Sequence, residues 1–286
     1  MNLFHYTSNE AFLSIIAKKE IWLSEFTLSN DALEGKWLRE VFIQQCKERG
    51  LSAYDQSRLL EELDLVSAVF GGAGFCMSQE GDLLSQWRAY ASDAAGVSIG
   101  FDHDYFDRLG RLRQERNDSF GVATKKVEYD LSKQKELIRS AFDKVVELVS
   151  QGAFKTPTIA SPETSEEAAK RKKLFMDLSL SFIQFFPLLY SLKNPAFIEE
   201  REWRLISYVV RGPNKDFDQI SKMDFRPLKD RIVPFNRIQL ENLDVPSIIE
   251  VVLGPRNVTP VEIVEAALRK YSFANVTVNR SKASYR

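Results

Sequence analysis

Apolar and polar positions along the chain switch repeatedly between a period of two and a period of about three and a half. Leu3 to Tyr6 reads as a short strand because a helix start follows it directly. The Thr7-Ser8-Asn9-Glu10 that follows has the form of a capping box and opens a helix with Phe12, Ile15 and Ile16 on one face. Ile21-Trp22-Leu23 reads as the next strand. Asn30 and Asp31 can cap a helix running towards Arg49, and a second helix is expected from Gln56 to Val69. Ala73 to Met77 is a short buried strand, Asp82 to Ala91 a helix bearing Leu83, Leu84, Trp87 and Tyr90, and Gly96 to Phe101 a strand again.

Two long amphipathic stretches follow. Ile138, Phe142, Val145 and Val149 fall at helical spacing within Leu131 to Val149, as do Leu174, Leu178, Phe182, Phe185 and Leu189, so the two helices should pack on each other. Residues 151 to 164 between them hold three Gly or Pro residues and read as a loop. Strands return at Arg204 to Val210, Arg231 to Leu240 and Ile248 to Leu253, the last closed by Gly254-Pro255. A final helix from Pro260 to Tyr271 precedes a strand at Val276 to Val278. The pattern predicts one α+β domain over residues 1 to 286, with a mixed central sheet and a helical insertion at residues 131 to 192.

Composition removes several functional classes. With 39 Lys plus Arg against 40 Asp plus Glu, no excess of positive charge announces a nucleic-acid or membrane surface. Cys46 and Cys76 sit in no CxxC motif and have no histidine close in sequence, so neither a disulfide framework nor a metal site is expected. The Met-Asn-Leu-Phe-His start lacks the form of a leader, and no apolar run reaches membrane length; the expectation is a cytoplasmic protein without a membrane partner. GxxxxGK[ST], GxGxxG after a strand, HExxH and GxSxG are all absent, which sets aside nucleotide triphosphatase, dinucleotide-fold dehydrogenase, zinc protease and serine hydrolase readings.

A set of ordered blocks spans nearly the whole chain: Phe4-His5-Tyr6-Thr7-Ser8, Ile21-Trp22-Leu23-Ser24, Ser29-Asn30-Asp31, Phe75-Cys76-Met77-Ser78, Ser85-Gln86-Trp87-Arg88-Ala89-Tyr90-Ala91, Gly96 to Phe101, Glu200-Arg201-Glu202-Trp203-Arg204, Gly254-Pro255 and Ser281 to Arg286. On these blocks the chain resembles the bacterial domain-of-unknown-function 2971 family, a name that implies no activity. A histidine closing the first strand, followed by a helix and a second short strand, also resembles the opening of ADP-ribosyltransferase folds.

The second resemblance implies NAD as substrate, with His5 on a ribose hydroxyl, Tyr90 or Trp87 on nicotinamide, Glu202 supporting cleavage of the glycosidic bond and Glu200 assisting. Tyr6 and Thr7 would neighbour the cofactor, and Arg204 and Arg88 would meet phosphates. Breaking the nicotinamide-ribose bond builds positive charge on the sugar, so a carboxylate held beside the ribose favours the transition state. As a strand, Glu200, Glu202 and Arg204 would share one face with Arg201 and Trp203 on the other. The two carboxylates should then disfavour each other's charge while Arg204 opposes the effect.

Each signal also has an ordinary structural explanation. His5 could be a hydrogen-bonded structural residue, and His103 fits a helix start at the surface. Glu-Arg-Glu-Trp-Arg fits an edge strand with solvated ion pairs, Trp87 and Tyr90 fit core aromatics three apart, and Asn30 and Asp31 fit helix caps. The expected function is an ADP-ribosyltransferase-like enzyme, a toxin or phage-defence effector, that cleaves NAD and passes ADP-ribose to a protein or nucleic acid, or to water. The rivals are a non-catalytic nucleotide, nucleic-acid or protein binding module, and a nucleic-acid-processing enzyme using its arginines on phosphate.

Overall fold

The computed structural model describes residues 1–28, 35–118, 120–156, 163–211, 219–228, 230–273 and 275–285, and Ser221 by its backbone only. The chain runs β1 (Asn2–Thr7), α1 (Asn9–Lys18), β2 (Glu20–Glu25), α2 (Trp37–Glu48), α3 (Ala53–Val69), β3 (Phe70–Ser78), α4 (Leu84–Tyr90), β4 (Val97–Asp102), α5 (His103–Glu115) and β5 (Ala123–Lys126). It continues with α6 (Leu131–Ser150), α7 (Ser165–Phe182), β6 (Glu202–Val210), β7 (Asp224–Pro227), β8 (Ile232–Gln239), β9 (Ile248–Leu253), α8 (Val261–Lys270) and β10 (Thr277–Arg280). Short, tightly wound helices join some of these, notably at Ile183–Leu188 and Pro195–Glu200.

The architecture is α and β with an open, mixed sheet in the order β10-β9-β4-β1-β3-β2-β8-β7, parallel only between β10 and β9; β6 pairs with β3 and β5. The fork in this sheet positions the site. One edge of β3 pairs along its whole length with β6, from Phe70↔Val210 to Ser78↔Glu202. The other edge is shared: β2 takes it at Ser24↔Gly74 and Glu25↔Ala73, whereas β1 meets it only at Phe4↔Ser78. Strands β1 and β2 therefore part along residues 75 to 77 of β3. The His5 ring closes that gap, its Nδ1 lying 2.8 Å from the main-chain oxygen of Cys76. A strand carbonyl left without a neighbouring strand is costly to bury, and the imidazole satisfies it.

Two apolar bodies flank the sheet. One joins Ile15, Ile16, Leu23, Phe75, Ile99, Phe101 and Phe106 to Val251 and Leu268. The other is helical, and it draws Leu38, Val41 and Phe42 of α2 and Leu59 and Leu63 of α3 together with Ile138, Phe142 and Val145 of α6 and Leu178 and Phe182 of α7. Phe42 is its hub, with ring contacts to Phe142, Phe182 and Phe185. Helices α6 and α7 do pack on one another.

Local departures from the sequence expectations have physical causes. Ser8, not Thr7, caps α1, because Thr7 is still paired in β1 while Ser8 Oγ accepts from Ala11 N at 3.1 Å. The helix expected to run through Leu189 stops at Phe182, and Pro187, which lacks an N–H, lies in the tighter turn that follows. Strand β6 starts at Glu202, so Glu200 is not on it: Glu200 ends the turn Pro195–Glu200, and Arg201 between them is left-handed with φ 46°. The caps expected at Asn30 and Asp31, with Ser29, lie outside the described residues, as does Arg286. Elements β5 and β7 are additional to those read from the pattern, and α5 begins at His103, the residue read as a helix start. No helix among the described residues is long and apolar enough to cross a membrane.

Candidate active site

The fork opens into a cavity of about 260 Å³. Its wall takes His5 and Tyr6 from β1, Ser24 and Glu25 from β2, Phe26, Gly74 and Cys76 of β3, Gln86 and Tyr90 of α4, Lys193, Glu200, Glu202, and Arg226 of β7. Segments far apart in the chain thus meet because β3 carries β6 on one edge and the parting strands on the other, with β8 and β7 following β2. No group of three or more His, Cys, Asp or Glu side chains among the described residues is arranged to hold a metal ion.

The floor is a buried charge network. Glu202 accepts from Arg204 twice, Nε on Oε1 and Nη2 on Oε2, both at 2.8 Å, and its Oε2 also accepts from Lys193 Nζ at 3.0 Å. Lys193 Nζ also donates to Glu200 Oε2 at 2.5 Å. The Tyr90 hydroxyl reaches Glu200 Oε1 at a long 3.4 Å. Burial works against the Glu202 charge, yet Arg204 and then Lys193 outweigh it and hold the carboxyl down at about 2. Burial likewise works against the Lys193 ammonium, but the charges of Glu202 and Glu200 prevail and raise its pKa above the ordinary lysine value. The mutual repulsion expected of Glu200 and Glu202 is therefore relieved by a lysine between them, not by Arg204 alone.

Local structure explains how Lys193 gets there. Its main-chain N–H donates to Glu128 O at 3.2 Å, and the buried amide of Gln134 in α6 donates to both Glu128 O and Lys193 O, at 2.7 and 2.8 Å. Trp37 Nε1 donates to Gln134 Oε1 at 2.9 Å and fixes that amide. The helical layer thus sets one charge of the cavity floor.

His5 stacks on Phe75 with ring centroids 4.0 Å apart. Burial, with Arg226 nearby, lowers its pKa to about 4 despite the bond to the Cys76 carbonyl, so the ring is neutral near pH 7. A carbonyl can only accept, which assigns the proton to Nδ1 and leaves Nε2 as an acceptor. Burial and the neighbouring Glu200 charge raise the Tyr90 pKa and keep its phenol protonated. The Tyr6 hydroxyl is committed elsewhere: it donates to Glu80 O at 2.7 Å and accepts from Leu83 N at 2.8 Å, tying β1 to the start of α4.

The other residues expected in the site are not in this wall. Trp87 is fully buried behind it, edge-on to Tyr6, and donates from Nε1 to Asp82 Oδ1 at 2.7 Å. Helix α4 turns Gln86 and Tyr90 to the cavity and Trp87 to the core. Arg88 is exposed on a different face of α4, over the Tyr285 ring. Arg204 is wholly buried; Nη1 donates to Tyr190 O at 2.8 Å, and its two bonds to Glu202 leave it a support beneath the cavity, not a phosphate ligand at its surface. Thr7 is buried in the β1 to β4 pairing. Asp82 receives Ser281 Oγ at 2.5 Å and Lys282 N at 2.7 Å, so the last described stretch of chain is strapped to α4.

The match to known proteins falls on part of this site. Residues 86–205 match the family model described as Protein of unknown function (DUF2971). That supports the DUF2971 resemblance read from the sequence, and the matched span carries Gln86, Tyr90, Lys193, Glu200, Glu202 and Arg204, while His5, Cys76 and Arg226 lie outside it. No curated protein and no solved structure matches the chain.

Proposed function

We propose that the cavity binds the nicotinamide-ribose half of NAD and that the protein cleaves the bond between them, passing ADP-ribose to a macromolecule or to water. The ADP-ribosyltransferase-like character of the fold, and a role as a toxin or defence effector, belong to the same proposal. One observation carries it: a neutral histidine with an acceptor nitrogen, a protonated phenol and two carboxylates meet in the wall of one cavity, although their positions in the chain are unrelated.

The carboxylates divide the work. Glu202 has both oxygens engaged by Arg204 and Lys193, so it anchors the network and contributes fixed negative charge. Glu200 keeps one oxygen against only the long bond from Tyr90, and a ribose hydroxyl can replace that bond. Positive charge developing on the sugar is stabilised by such preorganised carboxylates, while His5 Nε2 accepts from a second hydroxyl and the Tyr90 ring covers the nicotinamide. As the bond breaks, its electron pair leaves with nicotinamide; the acceptor's oxygen or nitrogen bonds to the ribose carbon and surrenders its proton to solvent or to Glu200. A cavity of about 260 Å³ is at the small end for a ligand site, so it holds one half of a dinucleotide and leaves the rest at the mouth.

The test is nicotinamide release from NAD by the purified protein, with and without cell extract as a source of acceptors, beside Glu200→Gln and His5→Ala. Release that falls on the order of a hundredfold or more in Glu200→Gln supports the reading; absence of release in every condition ends it. The complete charge matching of Glu202 favours one second reading, a pocket that binds a nucleotide without cleaving it, for which NAD binds but stays intact.

A further inference from the structure

The charges around the cavity do not cancel, and the excess lies at Arg226. Lys193 and Arg204 together match Glu200 and Glu202, and Arg211 matches Glu25. Arg226 has no carboxylate partner among the described residues. Its Nη2 donates to Ser24 Oγ at 2.8 Å, its guanidinium lies 5.8 Å from the Trp22 ring centroid, and its Nε is buried without an acceptor among the described residues. Ser24 and Trp22 thus hold the guanidinium from one side, and the group still lines the cavity. Burial alone depresses its pKa, as expected of a cation that nothing nearby neutralises, and its charge is felt at His5. A half-buried cation held in place and left unpaired costs free energy that an incoming anion recovers.

We propose that Arg226, supported by Ser24, is the subsite for a phosphate group of the ligand that occupies this cavity. This deepens the NAD reading and rests on it for the identity of the nucleotide. It takes the place given to Arg204 and Arg88, of which the first is wholly buried and neither lines the cavity. A guanidinium fork suits the tetrahedral oxygens of a pyrophosphate, and the position beside His5 and at the parting of β1 from β2 puts a phosphate next to the ribose pocket. Strand β7 is short and lies at the sheet edge, so a ligand reaches Arg226 without crossing the core.

The experiment is calorimetric titration of inorganic pyrophosphate, without divalent cations, into wild type, Arg226→Gln and Arg226→Lys, with thermal melts to show that the variants fold. The expected result is saturable binding to wild type, about tenfold or more weaker in Arg226→Gln, a loss of about 1.4 kcal/mol or more, and intermediate in Arg226→Lys, which keeps the charge without the fork. Equal affinity in wild type and Arg226→Gln, or no binding to folded wild type, overturns the subsite. Binding that depends on Arg226 in a protein that releases no nicotinamide keeps the subsite and ends the NAD reading. Nicotinamide release with the same KM in Arg226→Gln as in wild type does the reverse.

Discussion

The side-chain amide of Gln134 donates to the main-chain oxygen of Lys193 at 2.8 Å, and through that bond helix α6 governs where the cavity's lysine sits. Gln134 is fully buried and has three polar partners, Trp37, Glu128 and Lys193. Gln134→Leu leaves the Lys193 carbonyl and the Trp37 indole N–H without this partner and takes one of two donors from the Glu128 carbonyl, which keeps the Lys193 N–H. The expected loss is about 1–3 kcal/mol in urea unfolding. NAD cleavage should fall more than it does for a core substitution of equal destabilisation elsewhere in α6, such as Ile138→Val.

Glu200 and Glu202 should separate stability from activity. Glu202→Gln strands the wholly buried Arg204 and is expected to cost about 3–5 kcal/mol, visible as a lowered urea midpoint. Glu200→Gln leaves Lys193 its bond to Glu202 and should cost about 1 kcal/mol. Only the second variant therefore reports cleanly on chemistry. If Glu200→Gln unfolds as readily as Glu202→Gln, the division of labour between them is wrong.

Acid should weaken the fold in a defined window because of His5. Its folded pKa, about 4, lies below the ordinary histidine value of 6.5, so the native state refuses a proton that the unfolded chain accepts. Its contribution is complete above pH 6.5 and is lost as pH falls from 6.5 towards 4, on the order of 3 kcal/mol at most. Glu202 adds a second loss lower down, between the ordinary glutamate value of 4.5 and about 2. Urea unfolding of wild type and His5→Gln at pH 7 and pH 5 checks this; the gap between them should narrow at pH 5, and a constant gap contradicts the assignment.

Phe26 lies across Gly74 so closely that a Cβ there would stand 1.9 Å from its Cζ. Stacking on Tyr190 and the overlying Arg204 guanidinium hold the ring in place. Gly74→Ala must push Phe26 aside, at a cost of about 1–3 kcal/mol, and disturb the cavity that both residues line. Adding Phe26→Leu should restore part of the stability measured by thermal melting.

Much of this arrangement could be read from the residue pattern, and what could not has a common cause. Short apolar runs marked β1, β2, β8 and β9, and helical spacing marked α1, α3, α6 and α8. For helix α5 only the start at His103 was legible, its extent being masked by its run of Arg and Asp, and β7 was hidden by its four residues, which end on a proline. His5 stood out because the chain has only two histidines. Lys193 and Arg226 are two among 39 basic residues, in segments with no period, and only the fork in the sheet and the Gln134 bonds bring them to the cavity. Trp87 and Tyr90 shared a motif, but which of them faces the core depends on how α4 docks against Tyr6.

A ligand seated in this cavity should cover Cys76, which reports on its presence directly. Cys76 is exposed in the cavity wall, while the other cysteine, Cys46, is buried. A maleimide should therefore label Cys76 selectively, with the site read by peptide mass. Saturating NAD or ADP-ribose is predicted to slow that labelling at least severalfold, with protection reduced in Arg226→Gln. Labelling of Cys76 at the same rate with and without millimolar NAD and ADP-ribose would contradict the account.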